Sequence, residues 1–238
     1  MKPRADLRVV LLAAGRGSRL GGGIPKCLTP LRPDGETILD RQIAALRGWT
    51  RHPLIAVVGY RRELIERAQP GLAAVCNPRY AETNTARSLA CALAALRGCD
   101  VLWLNGDVVF DPRIVPLLLR SPHSCMAVNR AACGEEEIKY RTDGAGTIVE
   151  VSKRVRGGEG EAVGINLVKA ADLELFKRAL ADCADGDYFE RGLELAIERG
   201  LRLYPVEIGD YFCIEVDFPA DLNKARQLVE AEARAAQS

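Results

Sequence analysis

Leu11-Leu12-Ala13-Ala14-Gly15-Arg16-Gly17-Ser18-Arg19-Leu20, followed by Pro25-Lys26, is the stretch on which the reading of this chain turns. The apolar run over Leu7–Ala13 is bounded at once by glycines, the pattern of a short buried strand entering a tight turn. Glycines let backbone N–H groups approach a phosphate closely, and Arg19 and Lys26 place positive charge beside that turn. In an open α/β sheet, ligands sit beyond the carboxyl ends of the strands, where this turn falls. Two other glycine loops do not fit. A dinucleotide fingerprint needs G-x-G-x-x-G, and its third glycine falls on Leu20. A P-loop needs G-x-x-x-x-G-K-[ST], and the chain has no such string.

Outward from that turn, strands and helices alternate. Ile38–Leu46 has helical apolar spacing, Leu54–Val58 is an apolar run closed by Gly59, Arg61–Ala68 is helical, and Leu72–Val75 is a short strand. Ala86–Leu96 reads as a helix, Val101–Leu104 as a strand closed by Asn105-Gly106-Asp107, and Pro112 suits the first position of a helix running to Leu119. Cys125–Asn129 is a strand. Ile138–Arg141 and Thr147–Val151 flank Asp143-Gly144-Ala145-Gly146 as a hairpin. Arg156–Gly160 reads as a loop and Ala162–Val168 as a strand. Helices are expected over Asp172–Leu180 and Asp187–Glu198, strands over Leu201–Val206 and Phe212–Val216, and a last helix from Pro219 to about Ala233. This rhythm predicts an α/β fold: a mixed, mostly parallel sheet with helices on both faces, plus a small antiparallel insertion. Neither a repeat nor a linker interrupts it, so 1–238 reads as one domain.

The 238 residues suffice for a sizeable core. Lys+Arg (33) balance Asp+Glu (32), so nothing favours nucleic acid or a membrane surface as partner, and any anion site is local. No apolar run is long enough to span a bilayer. The eight cysteines show no CxxC spacing and only two histidines accompany them, which argues against zinc and for reduced thiols in a cytoplasmic protein.

Three further blocks support the glycine turn. Val101-Leu102-Trp103-Leu104-Asn105-Gly106-Asp107 is a strand ending in a carboxylate that could hold Mg²⁺ against a triphosphate. Asp107 could otherwise be a turn residue, with Asp111 as the helix cap. Ile214-Glu215-Val216-Asp217-Phe218-Pro219-Ala220-Asp221-Leu222 offers Asp217 as a second metal carboxylate, or as an acid favoured at a helix start. Asn77-Pro78-Arg79-Tyr80 and Thr83-Asn84-Thr85-Ala86-Arg87-Ser88-Leu89 form the last block.

The string L-A-A-G-x-G-[ST]-R-[LM] with P-K downstream resembles the signature of sugar-phosphate and related nucleotidyltransferases. The N-P-x-Y and T-N-x-x-S-L blocks resemble the branch that includes CTP:phosphocholine and phosphonate cytidylyltransferases. The resemblance spans Val9 to about Leu228. It implies a three-layer, Rossmann-like nucleotide-diphospho-sugar transferase fold and transfer of CMP from CTP, with pyrophosphate released. It also implies that Leu12, Ala13, Ala14, Gly15, Arg16, Gly17, Ser18 and Gly106 wrap the nucleotide, with Asn77, Asn84 and Ser88 near the base or phosphates. Arg19 would contact the leaving phosphates, Lys26 the α-phosphate or the acceptor, and Asp107 and Asp217 would hold Mg²⁺. Arg87 is either an added phosphate clamp or a surface residue.

For the acceptor, Arg130, Lys139, Tyr140, Glu161 and Glu190 are the candidates. Where phosphocholine enzymes of this branch carry aromatic residues, Tyr140 is the sole aromatic; Trp49 and Trp103 lie elsewhere. Arg130, Lys139, Lys153 and Arg154 favour an anionic phosphonate of the phosphonoformate or 2-aminoethylphosphonate type, whereas Glu135-Glu136-Glu137 would suit an amine. Phosphocholine and sugar or polyol phosphates stay open as acceptors, and so does a homodimer. A phosphate or phosphonate oxygen is already an anion, so direct in-line attack needs no general base and no covalent intermediate. A glycosyltransferase, a non-catalytic nucleotide-binding module and a hydride-transfer enzyme are the rivals. The first lacks a D-x-D after the Val101–Leu104 strand, and the third fails at Leu20.

Overall fold

A computed structural model describes residues 2–17, 20, 23–130, 134 and 137–235. Its strands are β1 (Leu7–Ala13), β2 (Ile55–Val58), β3 (Ala73–Cys76), β4 (Asp100–Asn105), β5 (Val108–Phe110), β6 (Cys125–Asn129), β7 (Lys139–Thr142), β8 (Ile148–Ser152), β9 (Gly160–Val168), β10 (Tyr204–Glu207) and β11 (Cys213–Glu215). The helices are α1 (Ile38–Leu46), α2 (Arg62–Ala68), α3 (Thr85–Leu93), α4 (Ile114–Arg120), α5 (Leu173–Ala181), α6 (Phe189–Glu198) and α7 (Pro219–Ala235).

The main sheet runs β10-β6-β9-β4-β1-β2-β3, and β7 with β8 extends it beside β9. β4, β1, β2 and β3 are parallel neighbours, as are β6 and β10. β9 runs antiparallel between β4 and β6 and splits these two parallel groups. Both faces are covered. Val10 and Leu12 of β1 face a cluster with α3, α5 and α6, while Leu7, Val9, Leu11 and Ala13 face α1, α2 and α4. An apolar strand buried on both sides is what a covered parallel sheet requires.

Local chemistry fixes several ends. α1 opens with a capping box: Asp40 N–H donates to Thr37 Oγ1 at 3.1 Å, and Thr37 N–H to Asp40 Oδ2 at 2.8 Å. The helix expected from Pro112 begins at Ile114, because Asp111 accepts the Arg113 N–H at 2.9 Å and makes a turn before it. The sequence reading misses β5. It pairs antiparallel with β11 through Val108↔Glu215 and Phe110↔Cys213, in a two-stranded sheet outside the main one. No helix among the described residues is long and apolar enough to cross a membrane.

Candidate functional site

β1 and β4 end side by side, with Leu12 opposite Asn105. The chain leaves β1 through Ala14 and Gly15 and leaves β4 through Gly106 and Asp107. Gly106 N–H donates to Leu12 O at 2.9 Å. A Cβ on Gly106 would stand 2.7 Å from that carbonyl, so only glycine allows the two turns to meet. Gly17 has φ +58°, and a Cβ there would strike Lys26 Cγ at 2.5 Å. The glycine turn therefore folds directly against the lysine that follows it. Ser18 and Arg19 lie outside the described residues.

Lys26 opens a short 3₁₀ turn, Lys26–Leu28, after Pro25. Its ammonium donates to Asp107 Oδ2 at 3.0 Å and also to Asp217 Oδ1. The β5–β11 pairing makes this convergence: one residue past its Val108↔Glu215 pair, Val216 N–H donates to Asp107 O at 3.0 Å, which places the two acids side by side. Asp221 does the capping at the start of α7, accepting the N–H groups of Asp217 and Phe218 at 3.1 and 2.7 Å. The Asp217 carboxylate faces Lys26. Lys26 is only 14% exposed; its burial opposes the charged form, but Asp107 and Asp217 outweigh this and raise its pKa.

A third acid belongs to this group and was not singled out from sequence. Burial pushes the Glu215 carboxyl up to about 8, with the charges of Asp107 and Asp217 adding and Lys26 opposing. Asn105 Nδ2 donates to Glu215 Oε1 at 3.4 Å. The only legible signal was the alternation Glu215-Val216-Asp217, which puts two acids on one face of an extended segment. Gln42 is also new: its Nε2 donates to Asn105 O at 2.9 Å and to Val108 O at 2.8 Å, holding the turn that carries Asp107.

Hard carboxylate oxygens suit a divalent cation such as Mg²⁺, which binds through one or two carboxylates and fills its octahedron with water and phosphate oxygens. Asp107 and Asp217 fit that role, since both already meet one cationic group. Among the described residues, no cluster of three or more His, Cys, Asp or Glu is arranged as an all-protein metal cage.

Beside the glycine turn, Leu12, Ala14, Gly15, Tyr80, Thr83, Asn84, Thr85 and Ser88 line a small open cleft. Tyr80, Thr83 and Thr85 join the residues expected there. Asn77 is 2% exposed and spends its amide on Thr83 Oγ1 and Ser88 Oγ, both at 3.0 Å, so it supports the cleft from behind. Asn84 caps α3 by accepting the Thr85 N–H at 2.9 Å. A larger hollow under α2, lined by Ala56, Ile65, Glu66, Gln69, Pro70, Leu72 and Ala74, offers one carboxylate and no cation, and it lies away from the glycine turn.

The acceptor candidates divide. Tyr140 is corrected: it is fully buried among Ile148 and Val151, with no ring face left for a ligand. Arg130 pairs with Glu207 at 2.8 Å on the surface, and Lys139 Nζ donates to Gly134 O at 3.1 Å. Burial raises the Glu161 carboxyl, helped by Glu137 and opposed by Lys224. Glu190 is buried in the first turn of α6, and burial pushes it up to about 7 against the pull of Lys153. Its Oε2 has no hydrogen-bond partner. Glu135 and Glu136 lie outside the described residues.

Several known proteins resemble this chain in sequence and in fold. The chain is 31% identical, over 92% of its length, to CMP-5'-(3-aminopropyl)phosphonate synthase of Streptomyces rubellomurinus, of which it covers 38%. It is 29% identical, over 97% of its length, to the bifunctional protein GlmU of Novosphingobium aromaticivorans, covering 53% of it. It thus spans only part of these curated relatives. The fold matches that of an inositol-1-phosphate CTP transferase from T. maritima, with TM-score 0.77, 21% identity and 97% of each chain covered. It also matches CTP:phosphocholine cytidylyltransferase from Streptococcus pneumoniae, with TM-score 0.76, 18% identity and 94% and 99% covered. Residues 9–202 match the MobA-like NTP transferase domain, and the chain belongs to that family.

Proposed function

We propose that this chain transfers CMP from CTP to a small phosphonate, releasing pyrophosphate. The observation that carries the reading is Lys26, held between Asp107 and Asp217 at the mouth of the glycine turn. That arrangement gathers one cation and two carboxylates where a metal-bound triphosphate and a second anion must meet. When bound, Mg²⁺ supplies charge neutralisation for the phosphates, with Asp107 and Asp217 as its protein ligands.

An acceptor oxygen attacks the α-phosphorus of CTP. A new P–O bond forms as the bond to the β-phosphate breaks, and the electron pair leaves with pyrophosphate. No proton moves, so no base is needed. Lys26 offsets the repulsion between the two anions, and the amides of the glycine turn, with Arg19, hold the leaving group. The cleft over Gly15, Tyr80 and Ser88 takes the cytosine.

The relative that acts on an aminopropylphosphonate supports a phosphonate acceptor. Burial disfavours the charged form of Glu161 and Glu190, so an ammonium beside them would stabilise their carboxylates, which favours an amine-bearing phosphonate over phosphonoformate. The buried Tyr140 argues against an aromatic seat for choline. The test is pyrophosphate release with each NTP, Mg²⁺ and a panel of 2-aminoethylphosphonate, 3-aminopropylphosphonate, phosphonoformate and phosphocholine. Turnover with CTP and an aminoalkylphosphonate is expected. Release with no phosphonate, or only with another NTP, rejects the reading.

A further inference from the structure

One wall of the base cleft is carried by the segment from Thr83 to Ser88, and that segment is fastened to a distant part of the chain. Asn84 N–H donates to Asp185 O at 2.8 Å, Ala86 N–H to Asp187 O at 3.3 Å, and Phe189 N–H to Thr85 Oγ1 at 3.0 Å. Side chains complete the joint. The Asp185 carboxylate receives Arg79 Nη2 at 2.6 Å and Arg87 Nε at 3.1 Å, so one acid ties down both ends of the cleft segment. Arg87 also donates to Cys183 O at 2.6 Å and to Ala181 O at 3.2 Å, at the C-terminal end of α5. Its guanidinium is thereby anchored to the α5–α6 connection.

We infer that Asp185 is a positioning residue for the nucleotide, holding the Arg79–Ser88 wall at the spacing that fits a base in the cleft. This rests on the reading that the cleft takes the base of CTP. Exposure decides what the clamp can do. Arg79, Asp185 and Arg87 are 55%, 41% and 32% exposed, so each pair adds little to global stability, and the network acts on where the wall sits. The backbone bonds from Asn84 and Ala86 remain when the carboxylate is removed, so the fold survives while the wall loosens.

The experiment compares wild type, Asp185→Ala, Asp185→Glu and Arg87→Lys in the pyrophosphate-release assay, with melting temperatures alongside. Asp185→Ala is expected to raise KM for CTP about five- to tenfold with kcat within about twofold, because the loss falls on binding shared by ground and transition states. KM for the acceptor and the melting temperature should stay near wild type. Asp185→Glu should restore most of the affinity, whereas Arg87→Lys, which keeps charge but loses the fork, should not. Raising salt should weaken CTP binding in wild type more than in Asp185→Ala. An unchanged KM for CTP in Asp185→Ala overturns the inference alone. A parallel fall in kcat and melting temperature also overturns it, since that marks a merely structural role. If wild type itself does not turn over CTP, the functional reading and this inference fall together.

Discussion

Replacing Lys26 with methionine keeps the unbranched stem and removes the charge between Asp107 and Asp217. At 3.0 Å from Asp107, the lost attraction is about 5 kcal/mol gross at an effective dielectric of about 20. Desolvation already offsets most of that, and Asp217 is 35% exposed, so the net cost falls below the 3–5 kcal/mol of a fully buried pair. We expect Lys26→Met to lose about 1–3 kcal/mol, or about 3–10 °C in melting temperature for a chain of this size. Because the folded pKa of Lys26 is raised, this contribution is fully present below the ordinary 10.5 and fades only as pH rises through the folded value. The gap between wild type and variant should therefore hold from neutral pH to about pH 10 and close above it. A divalent cation can replace the missing charge. Melting curves in EDTA and in excess Mg²⁺ should thus show a larger Mg²⁺ shift for Lys26→Met than for wild type. Turnover should fall on the order of 10²–10³-fold, as when one transition-state donor is lost. A variant that melts like wild type in EDTA, gains no extra Mg²⁺ stabilisation and keeps its kcat would refute the charge-sharing argument.

Glu190 supplies a pH test. Its folded pKa of about 7 lies above the ordinary 4.5, so the folded state binds the extra proton and stability declines as pH rises from about 4.5 to 7. Glu190→Gln should flatten that decline and add about 2–3 kcal/mol at pH 8, read by urea unfolding at several pH values; a parallel pH profile would reject it. Gly106→Ala drives a methyl against the Leu12 carbonyl at 2.7 Å, so soluble protein should melt several degrees lower and lose most turnover; wild-type behaviour in both would show that the β1 and β4 turns can part freely. Trp103 stacks on Phe176 at 5.2 Å and meets Phe189 edge-on at 5.8 Å, so Trp103→Ala should cost about 3–5 kcal/mol in denaturant unfolding. Trp103→Phe should cost clearly less, because the buried indole N–H has no partner to lose.

The order of elements and the glycine turn were legible from neighbouring residues alone, because both are local. The run Leu7–Ala13 can only be a covered strand, and it is β1 with the same ends; Ile38–Leu46 and Cys125–Asn129 agree as closely. Periodicity and turn chemistry act over a few residues, so they can be read one window at a time. The sequence could not show what meets across long separations. Lys26 and Asp217 stand 191 positions apart, and the short strand β5, too brief to show an alternating pattern, is what carries Asp217 to Asp107. Surroundings were equally invisible: Tyr140 looked like a ligand contact and packs as core, while Glu215 looked like a strand residue and shares the field of the acid pair. Arg87 could have faced a phosphate or solvent, and only the packing of α3 against the α5–α6 connection turned it to Asp185. Local sequence sets which conformations are available, while the field and partners around a charge exist only once distant segments are in contact.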